Sequence, residues 1–356
     1  MNKKSKIYIA GHTGLVGSAF LRNLQKKGYT NLITRSSKEL DLRRQQDVEA
    51  FFASEKPELV FLCAAKVGGI LANISYPAEF IYNNLMISAN IINSARLSGV
   101  KKLMNLGTSC IYPCHADQPI KEESLLSGPL EPTNEPYSIA KISEIKLCRY
   151  YNEQFGTNFI SVMPTNIYGP GDNFCLETAH VIPALIRKFH IARLLQAGEH
   201  EKIESDIMRC PVGFGIQGYE AGAAIENLCR KAGLCKDGVT VWGRGDVRRE
   251  FLYVDDLAEA CVFLMENYGF KEIGELINVG TGEDISIKDL AKIIKDAVGF
   301  SGKIKYDLAK PEGMSRKLLD VSKIKRLGWK PVVCLEEGIK KEYQWYLNSA
   351  EVRGTL

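Results

Sequence analysis

A chain of 356 residues, 45% hydrophobic and 25% charged, has the composition of a globular protein long enough for one large or two modest domains. Its formal net charge of +4 is small and dispersed, which argues against nucleic acid as a partner, and the early Lys3, Lys4 and Lys6 read as a solvated start. No run approaches the ~18 consecutive apolar residues of a membrane helix, so neither insertion nor export is indicated and the cytoplasm is the expected compartment.

Residues 6–10 read as a first strand, followed by Gly11-His12-Thr13-Gly14-Leu15-Val16-Gly17, which opens a helix running towards Lys27. Glycines at these places permit a tight turn, close approach of backbone to a pyrophosphate, and close packing of helix on strand, with the anion at the helix amino terminus. A glycine-rich turn that binds nothing is the plain alternative, and the placement between strand and helix favours a dinucleotide. A second strand over 31–34 ends at Arg35, where an acidic residue would hold the ribose hydroxyls of NAD; an arginine suggests a 2′-phosphate and hence NADP(H). Asp41, one short loop later, either borders the adenine or caps a helix. Residues 45–56 and 77–97 then read as helices, and 58–64 and 101–106 as strands. This alternation predicts an α/β fold on a Rossmann-like, doubly wound parallel sheet.

The strand ending at Leu106 leads into Gly107-Thr108-Ser109-Cys110, so hydroxyls and a thiol lie at a strand's carboxyl end, where open α/β sheets place their ligands. A helix opens after Pro136, and Tyr137 and Lys141, one turn apart, share a face. A phenol of pKa near ~10 is a poor acid at neutral pH unless a cation favours its anion; Lys141 supplies that charge while a hydroxyl aligns the substrate oxygen. This equipment protonates or deprotonates a carbinol oxygen. Tyr and Lys at this spacing also occur on ordinary solvated helices, and the strand-end hydroxyls and glycine turn give the pair its weight.

A strand over 158–163 leads to Pro164-Thr165-Asn166-Ile167, a turn marking the exit into a second region. Beyond it, 180–196, 254–267, 287–298 and 335–347 read as helices and 239–242 and 275–279 as strands. The expected division is a Rossmann domain of 1–172 with about 239–285, and a smaller α/β substrate-binding region of about 173–238 and 286–356. An extra helical insertion near 191–238 carries an apolar stripe of Ala221, Ile225, Leu228, Cys229 and Ala232, so it should fold on the substrate region, as a peripheral addition in preference to a lid. The ten cysteines lack the paired spacing of a metal site and read mostly as free thiols, with no metal expected.

The pattern Gly11-x-x-Gly14-x-x-Gly17 with Tyr137-x-x-x-Lys141 resembles the extended short-chain dehydrogenase/reductases. Within these, Ala64-Ala65-Lys66-Val67-Gly68-Gly69-Ile70, Ser109-Cys110-Ile111-Tyr112-Pro113, Glu131-Pro132-Thr133-Asn134-Glu135-Pro136-Tyr137, Met163-Pro164-Thr165-Asn166, His180-Val181-Ile182-Pro183-Ala184 and Arg249-Glu250-Phe251-Leu252 are similar to the GDP-L-fucose synthases, over nearly the whole chain. The resemblance implies epimerisation of GDP-4-keto-6-deoxy-D-mannose at C3 and C5, then reduction of the C4 ketone by NADPH, in a cytoplasmic homodimer. It assigns Tyr137, Lys141 and Thr108 to the reductase triad, with Thr108 where family members often have Ser, and Cys110 and His180 to epimerisation. Cofactor contact is implied for Gly11, Gly14, Leu15, Val16, Gly17, Arg35, Asp41, Ala65, Gly107, Lys141, Pro164, Asn166, Ile167 and His180. Substrate contact is implied for Lys188, Trp242, Arg249, Lys317 and Glu312, the last where the family commonly has Asp. Thr13 and Ser37 stand where family members place arginines towards the cofactor phosphates, which narrows the expected margin of NADPH over NADH.

The residue types suit this chemistry. C3 and C5 flank the C4 carbonyl, so their protons become acidic once the enolate oxygen is stabilised, and each inversion needs a base on one face and an acid on the other. The nearest alternative is a relative that performs one of the steps on another GDP-4-keto sugar, such as a heptose. A non-catalytic nucleotide-binding module would have no need of Cys110, Tyr137, Lys141 and His180 together.

Overall fold

The strand β1 (Ile7–Ala10) is buried along its whole length, as a central strand covered on both faces must be. The computed structural model describes residues 1–214, 221–310, 313–349 and 352. After β1 come α1 (Leu15–Lys26), β2 (Leu32–Ile33), α2 (Gln45–Glu55), β3 (Leu59–Leu62), α3 (Ile70–Ser75), α4 (Pro77–Leu97), β4 (Lys102–Leu106), α5 (Glu135–Phe155) and β5 (Phe159–Pro164). The second half holds β6 (Asn166–Tyr168), α6 (Val181–Ala197), α7 (His200–Arg209), α8 (Ala221–Ala232), β7 (Leu234–Cys235), β8 (Gly238–Trp242), β9 (Arg248–Tyr253), α9 (Val254–Asn267), α10 (Phe270–Ile273), β10 (Ile277–Val279), β11 (Asp284–Ser286), α11 (Ile287–Val298), β12 (Lys303–Asp307), β13 (Arg316–Lys317), α12 (Ser322–Arg326) and α13 (Leu335–Asn348). Local chemistry sets the long helices: Pro77 and Pro136 sit in first turns, where a missing N–H costs nothing, and α5 stops at Gly156 in the left-handed region.

Six parallel strands form the main sheet in the order β2-β1-β3-β4-β5-β10, the doubly wound arrangement expected from the sequence. The chain leaves β1 towards one edge and continues from β3 towards the other, so the carboxyl ends of β1 and β3 border the crevice of a topological switch point. Helices α4 and α5 pack together, as do α1 and α9, and the two faces of the sheet carry separate apolar cores.

The sequence analysis marked no strand at β9, whose first residues, Arg248-Arg249-Glu250, are charged. Although residues 239–285 were expected with the Rossmann domain, β9 lies outside the main sheet and is the hub of a smaller one: its first half pairs with β11 and β13, and its second half with β6. A third apolar core joins α6, α8, α11, α13 and strands β7 and β8, while Leu319, Val321, Ile324 and Trp329 pack with the main sheet. No helix among the described residues is long and apolar enough to cross a membrane.

The insertion is tied to α6 by a buried ion pair. Arg187, wholly buried, donates from Nε to Asp206 Oδ1 at 3.0 Å and from its other nitrogens to the carbonyls of Phe174, Pro211 and Cys210 at 2.9, 2.8 and 2.7 Å. Burial raises the Asp206 pKa, but Arg187 and the Tyr346 hydroxyl outweigh it and hold the carboxyl below its usual range. Asp206 therefore adds stability above its unfolded pKa, and that contribution fades as pH falls through the lower folded value. Arg187→Met should lower the unfolding free energy by about 3 kcal/mol or more in denaturant titrations at neutral pH, because it strands a buried carboxylate. The double change Arg187→Met with Asp206→Leu should lose less than the single one; an equal or greater loss would contradict this account.

Candidate active site

The turn after β1 is built for close approach. Gly11 has φ +85°, and a Cβ there would lie 2.8 Å from the Ala64 backbone, while a Cβ on Gly17 would lie 2.1 Å from the Gly11 carbonyl oxygen. No side chain caps α1 at Gly14, so its first N–H groups are available to an anion. A dinucleotide pyrophosphate fits this cradle. At the end of β2, Arg35 donates to Glu55 Oε1 at 2.7 Å and to the Thr34 carbonyl at 2.8 Å. Asp41 accepts from Arg43 at 2.8 and 2.7 Å, and those bonds hold its carboxyl well below the usual range despite partial desolvation. Arg43 borders the same end of the crevice as Arg35 and Ser37. Sequence reading passed over it, although a second arginine so close to Asp41 was the available signal.

Beyond β4 the chain makes a single tight turn over Ser109–Ile111. Thr108 Oγ1 accepts from the Cys110 N–H at 3.3 Å, and Ser138 Oγ of α5 donates to the Cys110 carbonyl at 2.9 Å. The Cys110 backbone is thereby held on both sides, and Lys317 Nζ donates to its Sγ at 3.6 Å. His180 occupies the amino-terminal cap position of α6. Its imidazole is reached by solvent through the crevice yet crowded by the walls, and that desolvation lowers its pKa and favours the neutral ring.

Tyr137 is half-buried, with the Phe80 ring edge-on at 6.2 Å. Burial, then the charges of Cys110 and Glu144, raise the phenol well above its ordinary value. This differs from the expectation that Lys141 lowers it. Lys141 Nζ lies 6.0 Å from the Tyr137 ring centroid and donates to the Leu106 carbonyl and to Glu144 Oε2, each at 3.0 Å. The field of the ammonium is shared with a carboxylate that the sequence did not single out.

The cations of the second region converge from the opposite wall. Lys188 donates to the Thr240 carbonyl at 3.2 Å, and burial, then Lys310, pull its pKa down to about 8. The Lys310 ammonium stands 5.3 Å from the centroid of the Trp242 ring. Register pairs Lys317 of β13 with Arg249 of β9, so two cations sit side by side. Burial lowers the Arg249 pKa, opposed by Cys110 and Glu131. Glu312 lies outside the described residues.

One cavity of about 950 Å³ is lined by every described residue that the sequence assigned to catalysis, cofactor or substrate: Gly11, Gly14, Leu15, Val16, Gly17, Arg35, Asp41, Ala65, Gly107, Thr108, Cys110, Tyr137, Lys141, Pro164, Asn166, Ile167, His180, Lys188, Trp242, Arg249 and Lys317. The insertion also reaches it, through Phe214, Lys231 and Ala232, and so forms part of the wall in addition to packing on the outside. The Phe214 N–H donates to Glu177 Oε2 at 2.5 Å, three residues before His180, and Lys231 donates to the Phe214 carbonyl. Of the expected stripe, Ile225, Leu228 and Ala232 are buried and Cys229 is partly so; the side chain of Ala221 lies outside the described part. All ten cysteines are free, and among the described residues no three His, Cys, Asp or Glu side chains converge as metal ligands would.

A parallel sheet with a glycine turn at its switch point, and a Tyr/Lys pair in the same crevice, is the frame of a nicotinamide-dependent enzyme. The chain belongs to the NAD dependent epimerase/dehydratase family, whose model matches residues 7–203 and 188–280. It is 49% identical over 348 residues to GDP-L-fucose synthase 1 of Arabidopsis thaliana, covering 98% of this chain and 95% of that one. It is 45% identical over 354 residues to the GDP-L-fucose synthase of Escherichia coli, covering 98% of each. A solved structure, GDP-mannoheptose C4 reductase from Campylobacter jejuni with NADP bound, is 44% identical with a TM-score of 0.86, covering 98% of this chain and 100% of that one.

Proposed function

We propose that this chain converts GDP-4-keto-6-deoxy-D-mannose into GDP-L-fucose, inverting C3 and C5 and then reducing the C4 ketone. The observation that carries this reading is the convergence of Thr108, Cys110, Tyr137, Lys141 and His180 on one cavity with the glycine turn, in a chain similar to GDP-L-fucose synthases over almost its whole length. Gly11, Gly14 and Gly17 would hold the cofactor pyrophosphate and Arg35 the 2′-phosphate of NADP. When bound, NADPH supplies the hydride that reduces C4. Arg35 keeps N–H groups beyond those engaged with Glu55 and Thr34, and competition from Glu55 makes the preference over NADH modest.

The proton chemistry belongs to the chain. Because the Tyr137 phenol holds its proton at neutral pH, it donates to the C4 oxygen, first supporting the enolate and later delivering the proton that completes reduction. The Thr108 hydroxyl supplies a second donor to that oxygen. Cys110 Sγ, with Lys317 beside it, and the neutral imidazole of His180 serve as the acid and base at C3 and C5. Arg249 and Lys188 receive the diphosphate, and Trp242 stacks on the guanine.

The identifying experiment supplies GDP-4-keto-6-deoxy-D-mannose and NADPH to the purified protein and determines the product sugar. GDP-L-fucose is expected; a GDP-6-deoxy sugar that keeps the starting configuration at C3 and C5 would overturn the reading. The similarity to a heptose C4 reductase, together with a wall contributed by the insertion, favours a second reading in which a GDP-4-keto heptose is the substrate and reduction is the sole step. Its signature is faster turnover of the heptose with no configurational change.

Arg35→Ala should raise the KM for NADPH roughly tenfold, the loss of one charged hydrogen bond worth about 1.5 kcal/mol, and leave the KM for NADH nearly unchanged. Equal shifts for the two cofactors would make Arg35 structural.

A further inference from the structure

Glu144 is a carboxylate that stability alone does not explain. It lies on α5, only 2% exposed, one turn beyond Lys141, and its Oε2 accepts from Lys141 Nζ at 3.0 Å. Removing both charges from water costs several kcal/mol, and buried ion pairs are often matched or bettered by apolar residues of the same volume. The same ammonium also donates to the carbonyl of Leu106 at 3.0 Å, at the end of the strand that leads into Thr108 and Cys110. Glu144 thus fixes Lys141 between the helix that carries Tyr137 and the strand end that carries the hydroxyl and thiol.

The titratable groups that face the pair are Cys63 at the end of β3, and Tyr137 and Cys148 on α5 itself. From β4 comes the Leu106 carbonyl, and α4, packed along α5, adds no charge to Glu144 among the described residues. The charge of Glu144 is therefore felt by Lys141, by the phenol and by the Cys148 thiol.

We propose that Glu144 is a positioning residue for C4 reduction: it pins the Lys141 ammonium on the Leu106 carbonyl and offsets that ammonium's field at Tyr137, adding to the enclosure of the phenol that donates to the C4 oxygen. The proposal rests on the reading of Tyr137 as the proton donor. Burial pushes the Glu144 carboxyl up to about 7, although Lys141 pulls it down. A raised carboxyl is neutral below that value and charged above it. Below it the ammonium acts on Tyr137 uncompensated; above it the offset is in place.

The test compares pH profiles of kcat for NADPH-dependent reduction in the wild type, Glu144→Gln and Glu144→Asp, with thermal melts to check folding and Tyr137→Phe as the reference. Glu144→Gln should coincide with the wild type below roughly pH 6, where both side chains are neutral, and diverge above roughly pH 8. Its alkaline decline should begin about one pH unit lower, because an uncompensated cation favours the phenolate. The KM for NADPH should change less than kcat, and Glu144→Asp should restore part of the wild-type shape. Profiles that differ only by a constant factor, or equal defects in the Gln and Asp variants, would overturn the proposal while leaving Tyr137 its role. Reduction at an undiminished rate by Tyr137→Phe would overturn the underlying reading and the proposal together.

Discussion

A parallel sheet delivers the carboxyl end of every strand to one edge, and the candidate site depends on that constraint. Gly11, Cys63, Gly107 and Thr165 leave the sheet at this edge within one crevice. The opposite wall is held against it by β9, whose Glu250 is buried and accepts from the N–H groups of Gly282 at 2.7 Å and Leu319 at 3.0 Å. The carbonyl of the same residue accepts from Thr165 Oγ1 at 3.1 Å and Asn166 Nδ2 at 2.8 Å, at the end of β5. One residue thus joins the sheet edge to the second region. Through the pairing of β9 with β13, it also sets Lys317 beside Arg249 and opposite Cys110.

The charges in the cavity are arranged as two opposed sets. Lys188, Arg249 and Lys317 face it from the second region, and crowding or burial penalises the charged forms of the first two. In the proposed reaction a diphosphate would supply the counter-charge that relieves this penalty. On the sheet side the logic is reversed: Lys141 has its carboxylate in Glu144, and Tyr137 stays protonated. On the proposed reading, anion capture and proton delivery would fall to separate cations on opposite walls of the cavity.

Much of the frame was legible in the chain. Buried apolar runs such as Ile7–Ala10 and Phe159–Pro164 read as strands, and prolines 77 and 136 marked the starts of α4 and α5 within a residue or two. Tyr137 and Lys141 were legible because helical spacing places them on a common face. What stayed hidden depends on partners far away in sequence. The contact of Lys317 with Cys110 spans 207 positions, and the burial of Glu250 needs Gly282 and Leu319. Glu144 reads locally as a polar position on an amphipathic helix, and only the packing of α5 on β4 and α4 shows it to be enclosed. The insertion's apolar stripe was readable, whereas its reach into the cavity follows from the backbone of Phe214 meeting Glu177.

Isotope entry during a single turnover tests most directly whether one cavity inverts C3 and C5 and reduces C4. GDP-4-keto-6-deoxy-D-mannose is given to the protein with unlabelled NADPH in heavy water, and the reduced sugar is read position by position by NMR. Deuterium at both C3 and C5 with protium at C4 is the predicted pattern, since the two inversions draw on exchangeable protons and the hydride does not. Protium retained at C3 and C5 in a reduced product would contradict the account and leave a 4-reductase whose thiol and imidazole only shape the pocket.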